Sequence, residues 1–204
     1  ALERIGSPLA FEPLLKMLEP EAAAVRREAM KALAAVGGVR AVGPLRAFLQ
    51  DIDLMVRRTA VECLAMLRVP ETQEPLLTAM LDSDEKVRRT AAEALRALGW
   101  QPDEGEAGAR YWASQKRWER CAQIGAAAVP VLLEHLVTST ASEQRIIRGV
   151  IERLGDDALP PLLEALRDPA LNMRVEAATL LGRLGDEAVL EPLTQALRDP
   201  ERRV

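Results

Sequence analysis

Residues 100–118 read WQPDEGEAGARYWASQKRW and contain all three tryptophans and the only tyrosine of the chain. Rings set among Arg110, Lys116 and Arg117 could stack on bases, hold a cofactor or anchor a partner. They could equally fill a core. A second group with chemical potential is a set of arginine pairs, each following a valine: Val25-Arg26-Arg27, Val56-Arg57-Arg58 and Val87-Arg88-Arg89. Projected on one side of a fold, they would make a stripe for anions. A third is Glu134-His135, which holds the only imidazole, so chemistry needing two histidines is excluded within this chain. Cys63 and Cys121 each sit inside an apolar helical pattern and read as buried reduced thiols of a cytoplasmic protein. The sequence holds no glycine-rich phosphate loop, no C-x-x-C pair and no nucleophile elbow, and no cofactor is expected.

Composition narrows the classes further. The chain is 49% hydrophobic but 3% aromatic, a balance that favours helix over sheet. Its net charge of -4 is spread along the length without a basic tail, which argues against sequence-independent nucleic-acid binding. The apolar runs read as too short to span a bilayer, and no membrane is expected as a partner.

The elements that must position these residues come from a repeat. Val25, Val56 and Val87 recur at 31 residues, each opening an apolar helical pattern: AAAVRREAMKALAAVG (22–37), DLMVRRTAVECLAMLR (53–68), DEKVRRTAAEALRALG (84–99). LNMRVEAATLLGRLG (171–185) and a divergent SEQRIIRGVIERLG (142–155) follow. Shorter segments alternate with them, and Pro13, Pro44 and Pro75, then Pro161 and Pro192, keep the same interval. Proline suits a first helical turn, and the glycines at 37, 99, 125, 155 and 185 suit left-handed helix ends. The unit is a hairpin of a longer helix A and a shorter helix B. Neither can bury its apolar stripe alone, so hairpins must stack.

An acidic residue stands six positions before the first arginine in Asp51/Arg57, Asp82/Arg88 and Asp168/Arg174, with Pro20 instead before Arg26. Stacking should turn these into an alternating ladder between neighbouring repeats. Around 99–125 the period shortens. The expectation there is a linker, no helix B, and one long helix over roughly 107–124, with Trp100, Tyr111 and Trp118 filling the gap. Trp112 falls on another face and is the ring expected to be exposed.

The pattern D-x-x-x-x-V-R-x-x-A-A-x-A-L-x-x-L-G followed by E-P-L-L-x-A-L-x-D resembles HEAT repeats, the short prokaryotic kind also seen in phycobilin lyase subunits. It runs through six helical pairs and covers nearly all of 1–204. The resemblance implies an all-α fold, a right-handed α-α superhelix with A helices outside and B helices lining the concave face. It also implies a non-catalytic scaffold that binds a protein, or another domain of its own polypeptide, on that face. Contact residues by this reading are Arg46, Glu74, Trp112, Glu134, His135, Glu164, Arg167 and Arg198. A bilin lyase- or isomerase-like subunit is the alternative, requiring a pocket beside Trp112 and Tyr111. HEAT-like deoxyhypusine hydroxylases bind iron through several His-Glu pairs, whereas this chain has one Glu-His, so no metal is expected. HEAT-like DNA glycosylases need a basic groove, whereas the B-helix positions here carry mixed charge. ALERIG (1–6) and DPERRV (199–204) read as partial A helices, so the expectation is a piece of a longer array.

Overall fold

Every repeat pattern becomes a helix because its apolar residues recur at helical spacing and its breaks carry residues that end helices. A computed structural model describes residues 10–19, 22–185 and 189–196, and the expected partial helices at the two ends lie outside them. The chain divides into two compact units, 1–101 and 102–204. The first holds α1 (Phe11–Lys16), α2 (Ala23–Gly37), α3 (Val42–Ala47), α4 (Leu54–Leu67), α5 (Gln73–Ala79) and α6 (Glu85–Ala97). The second holds α7 (Glu106–Ser114), α8 (Trp118–Ile124), α9 (Val129–Thr138), α10 (Ala141–Leu154), α11 (Leu159–Ala165), α12 (Leu171–Leu184) and α13 (Leu190–Ala196). Among the described residues there is no strand. The fold is an all-α helical solenoid of the expected kind.

In the first unit the A helices α2, α4 and α6 pack in sequence, with the short α3 and α5 behind them. Leu33, Leu45, Leu64, Leu76 and Leu95 are fully buried between the two layers. In the second, α8, α10 and α12 form the A layer and α7, α9 and α11 pack on one another as the B layer. Its core is Trp118, Cys121, Leu132, Leu136, Ile147, Ile151, Leu162 and Leu180. The recurring prolines each occupy the third residue of a B helix, where the missing N–H has no intrahelical partner to lose.

Three expectations are corrected. The long helix over 107–124 is two helices, α7 and α8, reversing at 115–117. Lys116 takes φ +54 there, with Lys116 N donating to Ala113 O and Arg117 N to Trp112 O, both at 2.9 Å. This is the hydrogen-bond pattern that normally ends a helix on glycine. Helix B is therefore present, since α7 packs on α9 as α11 does. In the first repeat the positive φ belongs to Gly38 (+50) rather than Gly37. Gly37 is needed for space, because a Cβ there would lie 2.8 Å from both Ala41 Cβ and the Phe11 ring. Finally, 23–50 and 118–138 are long and apolar enough by composition to cross a membrane. Each is a folded hairpin, reversing at Gly38 and at Gly125 (φ +80), with its apolar side against neighbouring helices.

Candidate functional surfaces

The arginine pairs do not form an anion stripe, because the loops supply acids to them. In the first unit Arg26 Nη2 donates to Asp51 Oδ1 at 3.2 Å, and Arg57 grips Asp82 through Nε (2.7 Å) and Nη2 (3.3 Å). The same Arg57 reaches back through Nη1 to the carbonyls of Asp51 and Ile52. Arg88 does likewise to Asp82 and Ser83, and Arg174 to Asp168 and Pro169. The six-residue spacing thus lets one guanidinium tie its own loop and, where an acid is offered, the loop of the next repeat. Arg57 and Asp82 are 16% and 7% exposed, so this pair is largely shielded from water. In α10 Gln144 replaces the arginine and still donates to the carbonyls of Leu136 and Ser139.

The second arginine of a pair makes a different rung. Arg58 Nε and Nη2 hold both oxygens of Asp84 at 3.1 and 2.9 Å, while Asp84 caps α6 by accepting from Val87 N. The Arg58 hydrogen bond, with a lesser contribution from the Val87 amide, holds the Asp84 carboxyl below its usual range. Arg89 leans on Glu93 at 3.8 Å. Arg58 and Arg89 are therefore neutralised, and a continuous positive stripe through Arg27, Arg58 and Arg89 is not formed.

The aromatic group is split between two helices. Tyr111 and Trp118 are buried, as the repeat register requires, and Trp100 is half-buried beyond the α6 cap, where its N–H donates to Leu95 O. Trp112 is half-buried against the second unit's core rather than exposed. It meets Tyr111 edge-on at 4.9 Å, and the Arg120 guanidinium lies 5.5 Å from its centroid. Trp112 packs there because the reversal at Lys116 turns the face it occupies toward α8. With Tyr111 7% exposed, the ring pair offers an outward edge of Trp112 only.

The B helices carry the remaining expected contacts. Arg46 and Glu74 are exposed and pair with each other at 2.9 Å. Glu134 is exposed but shared, since Arg110 donates to both of its oxygens (2.6 and 3.0 Å) and also to Glu106. Arg110 was not anticipated. Its i,i+4 spacing from Glu106 was a readable signal, but its reach to Glu134 depends on α7 lying beside α9. Burial works against the Arg110 charge, yet the hydrogen bonds it donates to Glu134 and Glu106 outweigh it and hold the guanidinium more firmly protonated than usual. His135 is half-buried, edge-on to Trp118 at 5.4 Å. Glu164 and Arg167 are exposed and, among the described residues, have no ionic partner. Arg198 lies outside the described residues. Arg46 and Glu74 in the first unit, and Glu134, Glu164 and Arg167 in the second, are thus exposed, whereas Trp112 is not.

Burial pushes the Cys63 and Cys121 thiols up to about 12, so neither is a thiolate near neutrality. Among the described residues no group of three His, Cys, Asp or Glu side chains is placed to hold a metal ion.

Stacked helical hairpins tied by loop acids and helix arginines define a helical-repeat protein. The HEAT-repeat model matches residues 44–107 and 129–204, and the model of the PBS lyase HEAT-like repeat matches 25–51. The chain belongs to the HEAT-repeat family. No curated protein sequence matches it. Among solved structures it is similar to human deoxyhypusine hydroxylase in complex with glycerol, at 23% identity and TM-score 0.43, covering 99% of this chain and 83% of that one. Two engineered proteins are each 18% identical. One has TM-score 0.39 over 95% of this chain and 91% of its own, the other 0.35 over 100% and 70%. At such values these likenesses say nothing about activity.

Proposed function

We propose that this helical-repeat protein is a non-catalytic scaffold whose B-helix face, the concave one in arrays of this family, binds a protein partner or another domain of the same polypeptide. The observation that carries this reading is the condition of Glu164 and Arg167. Both are exposed at the end of α11, charged, and unused by the fold among the described residues. Opposite charges at the end of α11 and in the turn that follows it favour a partner with its own mixed charge over a nucleic acid. In the same unit Glu134 is exposed but already paired, which suits a rim residue that orients a partner at little energetic cost. A cytoplasmic setting fits the two unpaired buried thiols.

The test is charge reversal. Glu164→Arg and Arg167→Glu, alone and together, should leave the circular dichroism spectrum unchanged and weaken partner binding at least tenfold in a titration. Wild-type affinity in the double variant would overturn the assignment. A bilin lyase-like role has only the 25–51 repeat match in its favour. It would require a tetrapyrrole absorbance change on titration.

A further inference from the structure

We propose a second interaction site, on the A-helix side of the second unit, that receives an acidic peptide side chain at Arg145. A completed rung in the first unit supplies the template. There Arg58, ten residues before the positive-φ end of its helix at Arg68, binds the carboxylate of Asp84 bidentately. Asp84 is also the N-cap of the next A helix, so one carboxylate satisfies a guanidinium and a helix start together.

The same register applied to α10 and α12 places Arg145 where Arg58 stands, ten residues before Gly155, whose φ is +56. The residue corresponding to Asp84 is Ala170, the N-cap of α12. Alanine offers no carboxylate, and α12 accordingly starts without a side-chain cap. Arg145 is exposed and, among the described residues, has no hydrogen bond or ion pair. Its neighbours differ. Arg148 is held by Glu176 (2.8 Å) and Arg183 by Glu152 (2.9 Å). Arg145 also sits in the first half of α10, near the positive end of the helix dipole, so its charge brings the free protein no stability.

Space for a guest is present. Gln144, Arg145, Arg148, Gly149, Glu152 and Arg183 line an open concavity of 470 Å³ between α10 and α12. Gly149, on its floor, is not required by packing, since a Cβ there would meet nothing within 4 Å. A mid-helix glycine costs about 1 kcal/mol relative to alanine, and here it keeps the floor low. Two of the three lining arginines are paired, Arg148 with Glu176 and Arg183 with Glu152, so Arg145 leaves one uncompensated positive charge there and the complementary guest is anionic. The Asp84 template specifies a carboxylate in bidentate contact with a guanidinium.

The test uses a fluorescein-labelled peptide carrying a run of aspartates, titrated into the whole chain at low salt. Wild type should bind saturably. Arg145→Gln should bind at least fivefold more weakly, and Arg96→Gln, an exposed arginine of the first unit, should bind as wild type does. Ala170→Asp installs the missing rung, so it should raise Tm by a few degrees and weaken the peptide at least fivefold. Peptide binding unchanged in both Arg145→Gln and Ala170→Asp would overturn the proposal. So would displacement of the peptide by inorganic phosphate at concentrations where acetate does not compete, because the site would then prefer phosphate.

Discussion

The hairpins of the first unit are joined by loop acids that meet helix arginines, whereas the α7–α8 hairpin that opens the second is joined by rings and by pairs of the reverse polarity, Arg110 with Glu134 and the turn residue Lys116 with Glu143. In the first unit Asp51 and Asp82 leave their loops to meet Arg26 and Arg57 of the preceding repeat. At α7–α8 no such acid exists, because Gln115, Lys116 and Arg117 form the turn. Trp118 fills the layer against His135, and Arg110 ties α7 to α9 through Glu134. The difference teaches that the repeat period is a device for stacking, and that a loop without an acid can be secured by bulk and by a lysine that reaches the next helix. A shortened repeat keeps both helices by using larger side chains.

The comparison breaks first at Gly108. A Cβ there would fall 1.9 Å from the carbonyl oxygen of Asp103, whose carboxylate accepts from Gly105 N and Gly108 N to start α7. Gly108→Ala should cost about 3 kcal/mol or more, read in urea unfolding, since backbone must move to admit the methyl. Next comes Trp118→Ala, expected to cost about 3 kcal/mol as a large-to-small change in a core. Trp112→Ala should cost clearly less, because its ring is half exposed. Arg57→Ala should cost about 2 kcal/mol by leaving the Asp82 carboxylate with the Asp84 amide as its remaining donor and two loop carbonyls without the guanidinium. Arg46→Ala, which removes only an exposed pair with Glu74, should change stability by less than about 0.5 kcal/mol.

Acid should weaken the charged rung at Asp84. The Asp84 carboxyl is depressed, so its contribution is present in full above the ordinary aspartate value of about 3.9 and is lost as pH falls through its own lower value. An acid titration at moderate salt should therefore show a loss of first-unit stability below about pH 4 that Asp84→Asn lacks. Equal acid sensitivity in the variant would show that Arg58–Asp84 contributes nothing.

Most of the fold was legible because the repeat writes itself several times. Val56 and Val87 are buried where the periodicity puts them, and the Asp–Arg spacing did forecast the ladder in the first unit. The break at Lys116 was not legible, since a lysine at positive φ is chosen by the hydrogen bonds around it and not by its own propensity. Trp112 was misplaced for that reason, as its face was assigned on a helix that reverses three residues later. The exposed B-helix ridge could be named from its polar positions, but which charges were spent on pairing, such as Glu134 on Arg110, depends on contacts far apart in sequence.

The scaffold reading makes the B-helix face the binding face. A photo-crosslinking residue placed at 164 or 46 on that face, and at 93 on the A-helix face, tests it in the cell of origin. The scaffold reading predicts one discrete adduct from positions 164 and 46, with the same partner or with another domain of the same chain, and none from 93. The same adduct from position 93, with none from 164 or 46, would contradict it.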